Sequence, residues 1–294
     1  MYKILAKEQL SRDVFLMKLA APLIAEEREP GQFIILSVDD EHGERIPLTI
    51  ADADTEEGSI TIIFQRVGHT TRELAGHEPG DRIAALVGPL GRPTHIENYG
   101  RVVCVGGGIG VAPLHPITQA LAQAGNDVTT IIGARTRDLV ILEDRMRELS
   151  RRLIVCTDDG SYGRKALVTE PLKEECEADP KPDLVVAIGP PVMMKFCAET
   201  TRPYGVKTLV SLNTIMVDGT GMCGGCRVSV GGETKFVCVD GPEFDGHAVN
   251  FDEMISRLSA YHAQEKEARQ RLNESEHECR LEEEAKSKTA QQEG

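Results

Sequence analysis

The chain has 294 residues, of which 40% are hydrophobic and 27% charged, and its formal net charge is -14. A length of this order predicts about two domains, and the excess of acidic residues disfavours binding to nucleic acid or to an anionic membrane surface. The N-terminus lacks the apolar core of a signal peptide, and the longest weakly polar stretch, residues 102–114, is too short and glycine-rich to span a bilayer. We therefore expect a cytoplasmic protein without a membrane segment.

Residues 1–97 carry short β-type runs separated by turn signals, a pattern that predicts an antiparallel β-barrel or sandwich. One run, Arg45-Ile46-Pro47-Leu48-Thr49, offers an arginine for a pyrophosphate and a hydroxyl for the edge of an isoalloxazine ring. Further along, Val67-Gly68-His69-Thr70-Thr71 supplies a glycine for close approach and two hydroxyls. Each stretch alone also fits a surface strand or a plain loop. Together with a glycine-rich, nucleotide-binding type of loop at residues 106–110, the two stretches predict a flavin site.

Residues 98–205 alternate between strand-like and helical runs, which predicts a parallel sheet with crossover helices. The first strand leads into Gly106-Gly107-Gly108-Ile109-Gly110, which opens a helix and turns backbone N–H groups toward an anion. Gly189-Pro190 and Asp158 follow later strands, at the edge where the ligand crevice of such a sheet lies. Asp158 fits a ribose contact and a simple turn equally well, and a glycine-rich loop alone is a weak signal.

Residues 206–250 are rich in glycine and cysteine and have little sequence for a core of their own, which predicts a segment held by a metal or cluster. The spacing is that of a plant-type 2Fe–2S cluster with Asp in place of the first Cys, and its ligands would be Asp218, Cys223, Cys226 and Cys238. Zinc held by the same four residues is the competing interpretation, although structural zinc prefers Cys and His. A further interpretation omits Asp218 and leaves an open site. We favour the cluster.

Residues 251–294 start as a helix, because Asn250 and Glu253 form a capping box. An apolar stripe at helical spacing follows, which we interpret as packing: Phe251, Met254, Ile255, Leu258 and Tyr261. The rest of this extension is mostly charged and fits a solvated helix, a partner-binding arm or a disordered tail.

The order of barrel, nucleotide-binding domain and cluster segment resembles the ferredoxin–NADP reductase superfamily, over about residues 1–250. The stretches quoted above carry the resemblance, together with Gly88-Pro89-Leu90-Gly91. Within the superfamily, the chain resembles the electron-transfer subunit of class 1B dihydroorotate dehydrogenase. Those subunits have Cys where this chain has Asp218. The Asp and the long C-terminal extension are more similar to the small subunit of NADH-dependent reduced ferredoxin:NADP oxidoreductase, an electron-bifurcating complex also called sulfide dehydrogenase.

The resemblance implies an α/β plus β fold. Residues 1–97 would form an FAD-binding antiparallel β-barrel, 98–205 an NAD(H)-binding parallel-sheet domain, 206–250 a 2Fe–2S segment and 251–294 a C-terminal helical, charged extension. FAD would contact Arg45, Pro47, Leu48, Thr49, Gly68, Thr70 and Thr71. NAD(H) would be placed by Gly107, Gly108, Gly110, Asp158, Gly189 and Pro190. No side chain is expected to act as an essential acid or base, because the cofactors carry the chemistry.

The resemblance also implies a partner, a larger glutamate-synthase-like flavoprotein with a second FAD and further iron–sulfur clusters, through which the complex reaches ferredoxin. Two alternatives stay open. One is the electron-transfer subunit of an NAD-linked dihydroorotate dehydrogenase, against which Asp218 argues, and the other is a regulatory subunit with structural zinc. Arg135 and Arg137 follow a predicted strand where a 2′-phosphate could bind, so the sequence does not decide between NAD and NADP.

Overall fold

The structure, a computed structural model, describes residues 1–39, 43–268 and 270–271. Its N-terminal elements are β1 (Tyr2–Ser11), β2 (Val14–Ala20), α1 (Pro22–Glu27), β3 (Phe33–Ser37), β4 (Arg45–Asp54), β5 (Ser59–Gln65), α2 (His69–Gly76), β6 (Arg82–Ile83) and β7 (Ala85–Leu90). The strands pair antiparallel in the order β6-β1-β2-β5-β4-β3-β7. This confirms the antiparallel barrel expected from the many short apolar runs.

The barrel is filled by aliphatic side chains that recur at every second residue. Ile34 and Leu36 on β3 and Ile60 and Ile62 on β5 are fully buried in one cluster. Successive side chains of a strand point to opposite faces of its sheet, so this period of two sends one set inward. The β-branched residues at these positions also favour the extended backbone.

A second sheet follows, with crossover helices between its strands. Its elements are β8 (Arg101–Gly107), α3 (Val111–Gln123), β9 (Asp127–Ala134), α4 (Glu143–Leu149), β10 (Arg152–Thr157), β11 (Arg164–Lys165), α5 (Thr169–Glu177), β12 (Leu184–Ile188), α6 (Pro191–Thr201) and β13 (Lys207–Ser211). All pairs among these strands are parallel. The predicted parallel sheet with crossover helices is confirmed, and its strands read as continuous apolar runs because helices cover both faces.

The remaining elements are β14 (Arg227–Val230), β15 (Glu233–Phe236), α7 (Val237–Asp240), β16 (Glu243–Asp245) and α8 (Phe251–Leu258). Strands β14 and β15 form a separate hairpin, whereas β16 pairs antiparallel with β13 at the edge of the parallel sheet. Strands β13 and β16 thus belong to the second sheet, although both fall within residues 206–250. The reason is burial, since alternate residues of β13, Thr208 and Val210, are fully covered.

Helix α8 begins as predicted, with the Asn250 side chain accepting a hydrogen bond from the Glu253 N–H at 3.1 Å. Phe251 and Met254 are buried against the core, but Tyr261 is 56% exposed, so the packing stripe ends before it. The interpretation of the charged tail beyond residue 271 lies outside the described residues. No helix in the described ranges combines the length and the apolar character needed to cross a lipid bilayer.

Candidate functional site

A cavity of about 1110 Å³ lies between the barrel and the carboxyl ends of the parallel strands. Strands β8, β9, β12 and β13 all end at its wall, which is where ligands bind in open α/β sheets. The barrel contributes the side chains of β4 and β5 to the opposite wall. The predicted flavin and nucleotide stretches therefore meet in one continuous space.

Most of the predicted cofactor residues line this cavity. They are Pro47, Leu48, Thr49, Thr71, Gly107, Gly108, Gly110, Asp158, Gly189 and Pro190. Successive side chains of a strand point to opposite faces, yet Leu48 lines the cavity together with Pro47 and Thr49. The structure thus brings the residues together, and their individual cofactor contacts stay predictions.

The other three predicted flavin residues lie outside the lining. Arg45 is exposed at the start of β4. The Thr70 hydroxyl is buried and donates to the Glu44 carboxylate at 2.7 Å, so it is already engaged within the protein. Gly68 precedes α2, and a Cβ added there would meet nothing within 4 Å. The helix N-terminus at Gly68 is thus open, although the Gly68 N–H already donates to the Thr71 hydroxyl at 3.0 Å.

The loop between β8 and α3 approaches the β12 end very closely. A Cβ added at Gly110 would lie 2.4 Å from the Ile188 carbonyl oxygen and 2.7 Å from the Gly189 Cα. Only glycine permits this backbone contact. At Gly108, by contrast, an added Cβ would face open space, although its φ of +55° favours glycine. The two loops form a cradle without side chains, which suits a pyrophosphate held by backbone N–H groups.

The two carboxylates of the acidic turn after β10, Asp158 and Asp159, have different surroundings. Asp159 accepts hydrogen bonds from the N–H and hydroxyl of Ser161, at 2.9 and 2.7 Å, as a turn residue does. The Asp158 side chain lines the cavity instead. Of the two arginines that could hold a 2′-phosphate, Arg135 lines the cavity, whereas the Arg137 guanidinium lies over the Tyr162 ring at 5.3 Å. Asp158 would suit a ribose diol and Arg135 a 2′-phosphate, so the two cavity-lining residues favour different nucleotides.

Three of the predicted cluster ligands, Asp218, Cys223 and Cys226, lie on the loop before β14, and the fourth, Cys238, lies in α7. The Cys226 and Cys238 thiols are buried, with their Sγ atoms 3.2 Å apart, while Cys223 is exposed. The Asp218 carboxylate accepts hydrogen bonds from the N–H groups of Thr220 and Cys223, at 3.0 and 2.9 Å. These bonds lower the Asp218 pKa, the Thr220 N–H contributing most, so the group is an anion at neutral pH.

The arrangement fits a 2Fe–2S cluster better than a single metal ion. The Gly225 N–H donates to Cys223 Sγ and the Cys238 N–H to Cys226 Sγ, each at 3.5 Å, as stabilised thiolates require. Burial raises the pKa of the Cys238 thiol, and the hydrogen bond with the Cys226 thiol raises it further. Cys238 therefore needs a bound cation to be held as a thiolate. Among the described residues, no three His, Cys, Asp or Glu side chains surround one point, and a 2Fe–2S cluster, whose two irons share the four ligands, does not require such a group.

The cavity and the cluster loops share a wall that sequence reasoning missed. Thr214 and Met216 line the cavity, and the Thr214 hydroxyl lies 3.5 Å from the carbonyl oxygen of Cys226. Pro242, just beyond α7, lines the cavity as well. The available signal was that residues 211–216 directly follow a parallel strand, at the edge where ligands bind. Phe196 and Leu167, exposed at the cavity rim, gave no sequence signal beyond their apolar character.

The cysteines outside the cluster segment are buried free thiols within the described residues. Cys104 and Cys197 are completely buried, and burial raises the pKa of each thiol to about 12. Such thiols are inert packing groups. Cys279 lies outside the described residues.

Two family models match the chain. The iron–sulfur cluster binding domain of dihydroorotate dehydrogenase B matches residues 213–250, and the oxidoreductase NAD-binding domain matches residues 104–199. A dihydroorotate dehydrogenase B (NAD+) electron transfer subunit homolog from Thermotoga maritima is 50% identical over 264 residues, which cover 90% of this chain and 93% of that protein.

Solved structures agree with these matches. A chain from the structure of NADH-dependent reduced ferredoxin-NADP oxidoreductase, described for flavin-based electron bifurcation, is 48% identical with a TM-score of 0.87. The alignment covers 92% of this chain and 98% of that one. A cytochrome P450 reductase of Amycolatopsis is 25% identical with a TM-score of 0.59, over 69% of this chain and 65% of that one.

Proposed function

This chain belongs to the family of dihydroorotate dehydrogenase B electron-transfer subunits and their homologues, and from that premise we propose that it is the small subunit of an electron-bifurcating ferredoxin:NADP oxidoreductase. The chain is an oxidoreductase subunit whose cofactors are FAD, a 2Fe–2S cluster and NAD(H). In the proposed role it takes electrons from, or returns them to, NAD(H) at the cavity and exchanges them singly with a larger flavoprotein subunit through the cluster loops.

The observation that carries the proposal is the shared wall between the cavity and the cluster segment. Thr214 and Met216 face the cavity, and the same short segment leads directly to Asp218 and Cys223. The segment from Thr214 to Met216 would therefore separate a flavin in the cavity from the cluster ligands that follow it in the chain. The 48% identity to a subunit of a bifurcating enzyme, over almost the full length of both chains, supports the choice of complex.

The residues of this chain bind and orient rather than transfer protons. The loops around Gly110 and Gly189 offer backbone N–H groups to the nucleotide phosphates, and Asp158 offers a carboxylate to a ribose diol. On the barrel side, Thr49 offers a hydroxyl to the flavin edge, while Pro47 and Phe33 supply an apolar wall that excludes water. When bound, FAD supplies the conversion between two-electron hydride chemistry and the one-electron chemistry of a 2Fe–2S cluster.

We propose that the partner, a glutamate-synthase-like flavoprotein with its own FAD and iron–sulfur clusters, docks over the exposed edge of the cluster loops. Met222 is 87% exposed beside Cys223, and Val217 and Val239 are 53% and 38% exposed. Exposed apolar side chains around a redox centre are typical of a protein-docking surface. Ferredoxin would then be reached only through the complex.

Anaerobic affinity purification of the chain from its native cells, with mass identification of co-purifying proteins, tests this function. A glutamate-synthase-like flavoprotein is the expected partner, and in that complex NADPH-driven reduction of ferredoxin should require NAD+. The second candidate function is the electron-transfer subunit of a dihydroorotate dehydrogenase, favoured by the name of the Thermotoga maritima relative. Co-purification of a dihydroorotate dehydrogenase catalytic subunit would establish that candidate and refute the first.

A further inference from the structure

Two arginines hold the loop between Cys223 and Cys226 by its carbonyl oxygens. The Arg227 guanidinium donates to the Gly224 carbonyl at 3.1 Å, and the Arg257 guanidinium donates to the Gly225 carbonyl at 3.3 Å. Arg227 starts strand β14, whereas Arg257 lies near the end of α8. The two side chains therefore reach the same loop from two separate elements.

Neither guanidinium has a carboxylate partner among the described residues. Other arginines of this acidic chain do, as in the ion pairs Arg66–Asp13 at 3.0 Å and Arg164–Glu174 at 2.7 Å. Arg227 is exposed to water, whereas Arg257 is half-buried, and a charge withdrawn from water is stabilised by an opposite charge nearby. Arg257 is therefore the cation for which the loop should supply an anion.

That anion is the cluster predicted for this loop. A 2Fe–2S core with four anionic ligands is negatively charged when oxidised and gains one more negative charge on reduction. The peptide unit between Gly224 and Gly225 links one cation to the site, because its carbonyl accepts from Arg227 while its N–H donates to Cys223 Sγ at 3.5 Å. A donor on the carbonyl polarises the peptide and strengthens the bond from its N–H to sulfur.

We propose that Arg227 and Arg257 form a guanidinium clamp on the Cys223–Cys226 loop, which offsets the charge of the reduced cluster and raises its reduction potential. Both arginines are positioning residues, since they act through backbone groups and touch no ligand atom. Hydrogen bonds to the sulfurs and nearby charge are the protein's main means of setting such potentials. The proposal rests on the proposed function, because it requires the cluster to be present.

Arg257 is not needed to hold its own helix in place. Helix α8 is anchored by the buried side chains of Phe251 and Met254 and by the ion pair of Asp252 with Lys195, at 2.7 Å. The bond to Gly225 therefore serves the loop rather than the helix. This separation supplies a matched control, because Asp252→Asn loosens the helix without touching the loop.

The test compares Arg227→Gln, Arg257→Gln and the two Lys variants with the wild-type holoprotein, by iron and FAD content and by an EPR-monitored redox titration. Each Gln variant should keep its FAD and shift the cluster potential downward. The equilibrium constant for reduction should fall about tenfold, which is about 59 mV for a one-electron couple. The Lys variants should stay close to wild type, and Arg151→Gln, on a distant surface, and Asp252→Asn should not shift the potential.

Unchanged potentials in both Gln variants would overturn the clamp, as would equal shifts in the Gln and Lys variants. If a Gln variant loses its iron, the Lys variant decides: a retained cluster at the wild-type potential supports the clamp, and loss of iron there refutes it. A wild-type chain that binds no iron would refute the proposed function itself, which keeps the two failures distinct.

Discussion

Glu243 is a half-buried residue of β16 at the contact between the barrel and the second sheet. Its Oε1 accepts a hydrogen bond from the Thr94 hydroxyl at 2.7 Å, and a Cβ added at Gly31 would lie 3.3 Å from the same oxygen. Burial raises the pKa of Glu243 from 4.5 to about 7, against the opposing effect of the Thr94 hydrogen bond. The folded protein therefore favours the neutral carboxyl, and we expect Glu243→Gln to stabilise it in alkaline solution.

The direction of the pH effect on stability follows from proton binding in the folded and unfolded chains. Because the pKa is higher in the folded chain than in the unfolded chain, the folded state binds more protons between the two values, and stability falls as pH rises through about 7. A tenfold difference in proton affinity between the two states corresponds to about 1.4 kcal/mol, so the raised pKa contributes roughly 3 kcal/mol at most. Gln keeps the acceptor for Thr94 and removes the charge. The variant should match wild type below about pH 4.5 and exceed it by up to roughly 3 kcal/mol above about pH 8.

Urea denaturation followed by far-UV circular dichroism, repeated from acidic to alkaline pH, measures this difference. Glu26→Gln is the matched control, because Glu26 is exposed and its replacement should leave the pH profile parallel to wild type. A difference between Glu243→Gln and wild type that stays constant across the pH range would refute the reasoning, since it would mean that the carboxyl titrates alike in both states.

Four other substitutions test the nucleotide and cluster sites. Gly110→Ala must displace the β12 backbone, so it should lower the free energy of unfolding by roughly 1–3 kcal/mol and weaken NADH binding measured by calorimetry. Gly205→Ala is the control, because Gly205 has a positive φ and an added Cβ there would face open space. It should lower the free energy of unfolding by about 1 kcal/mol and leave NADH binding unchanged. Asp158→Ser should reduce the preference for NADH over NADPH in steady-state kcat/KM by about tenfold, and an unchanged ratio would remove Asp158 from the ribose site. Asp218→Cys should keep the cluster but change its reduction potential and EPR spectrum, and an unaltered spectrum would remove Asp218 from the ligands. Cys226→Ser should abolish iron binding and leave FAD in place, and an unaltered iron content would remove Cys226 from the ligands.

The sequence predicted the fold correctly in those segments where the spacing of apolar residues reflects which face of a strand is buried. The period-two runs of the barrel and the continuous apolar strands of the second sheet each follow from which faces are covered. Strand β13 was harder, because Lys207–Ser211 is short and precedes a glycine-rich segment, and only its pairing with β12 shows that it completes the sheet. Its alternation of buried and partly exposed residues is visible in the sequence but too brief to decide.

The site was predictable where backbone chemistry selects glycine or where ligand spacing is distinctive. The glycine cradle and the cysteine spacing belong to these classes. The bond from Thr70 to Glu44 could not be foreseen, because a hydroxyl next to a glycine looks the same in sequence whether it faces a cofactor or a neighbouring carboxylate. The sequence did not reveal the positions of Thr214, Arg257 and Phe196 at the sites. Each of these residues reaches its place through tertiary packing, and no local sequence pattern marks such a residue.

Electron transfer from NADH through the flavin to the cluster can be followed by anaerobic rapid mixing of the purified holoprotein with NADH, with absorbance for the flavin and freeze-quench EPR for the cluster. The flavin absorbance should bleach first, and the signal of a reduced 2Fe–2S cluster should then appear within the same chain. A flavin that bleaches without any cluster signal, or a chain that carries zinc and no iron, would show that this chain does not carry electrons from NADH to a cluster.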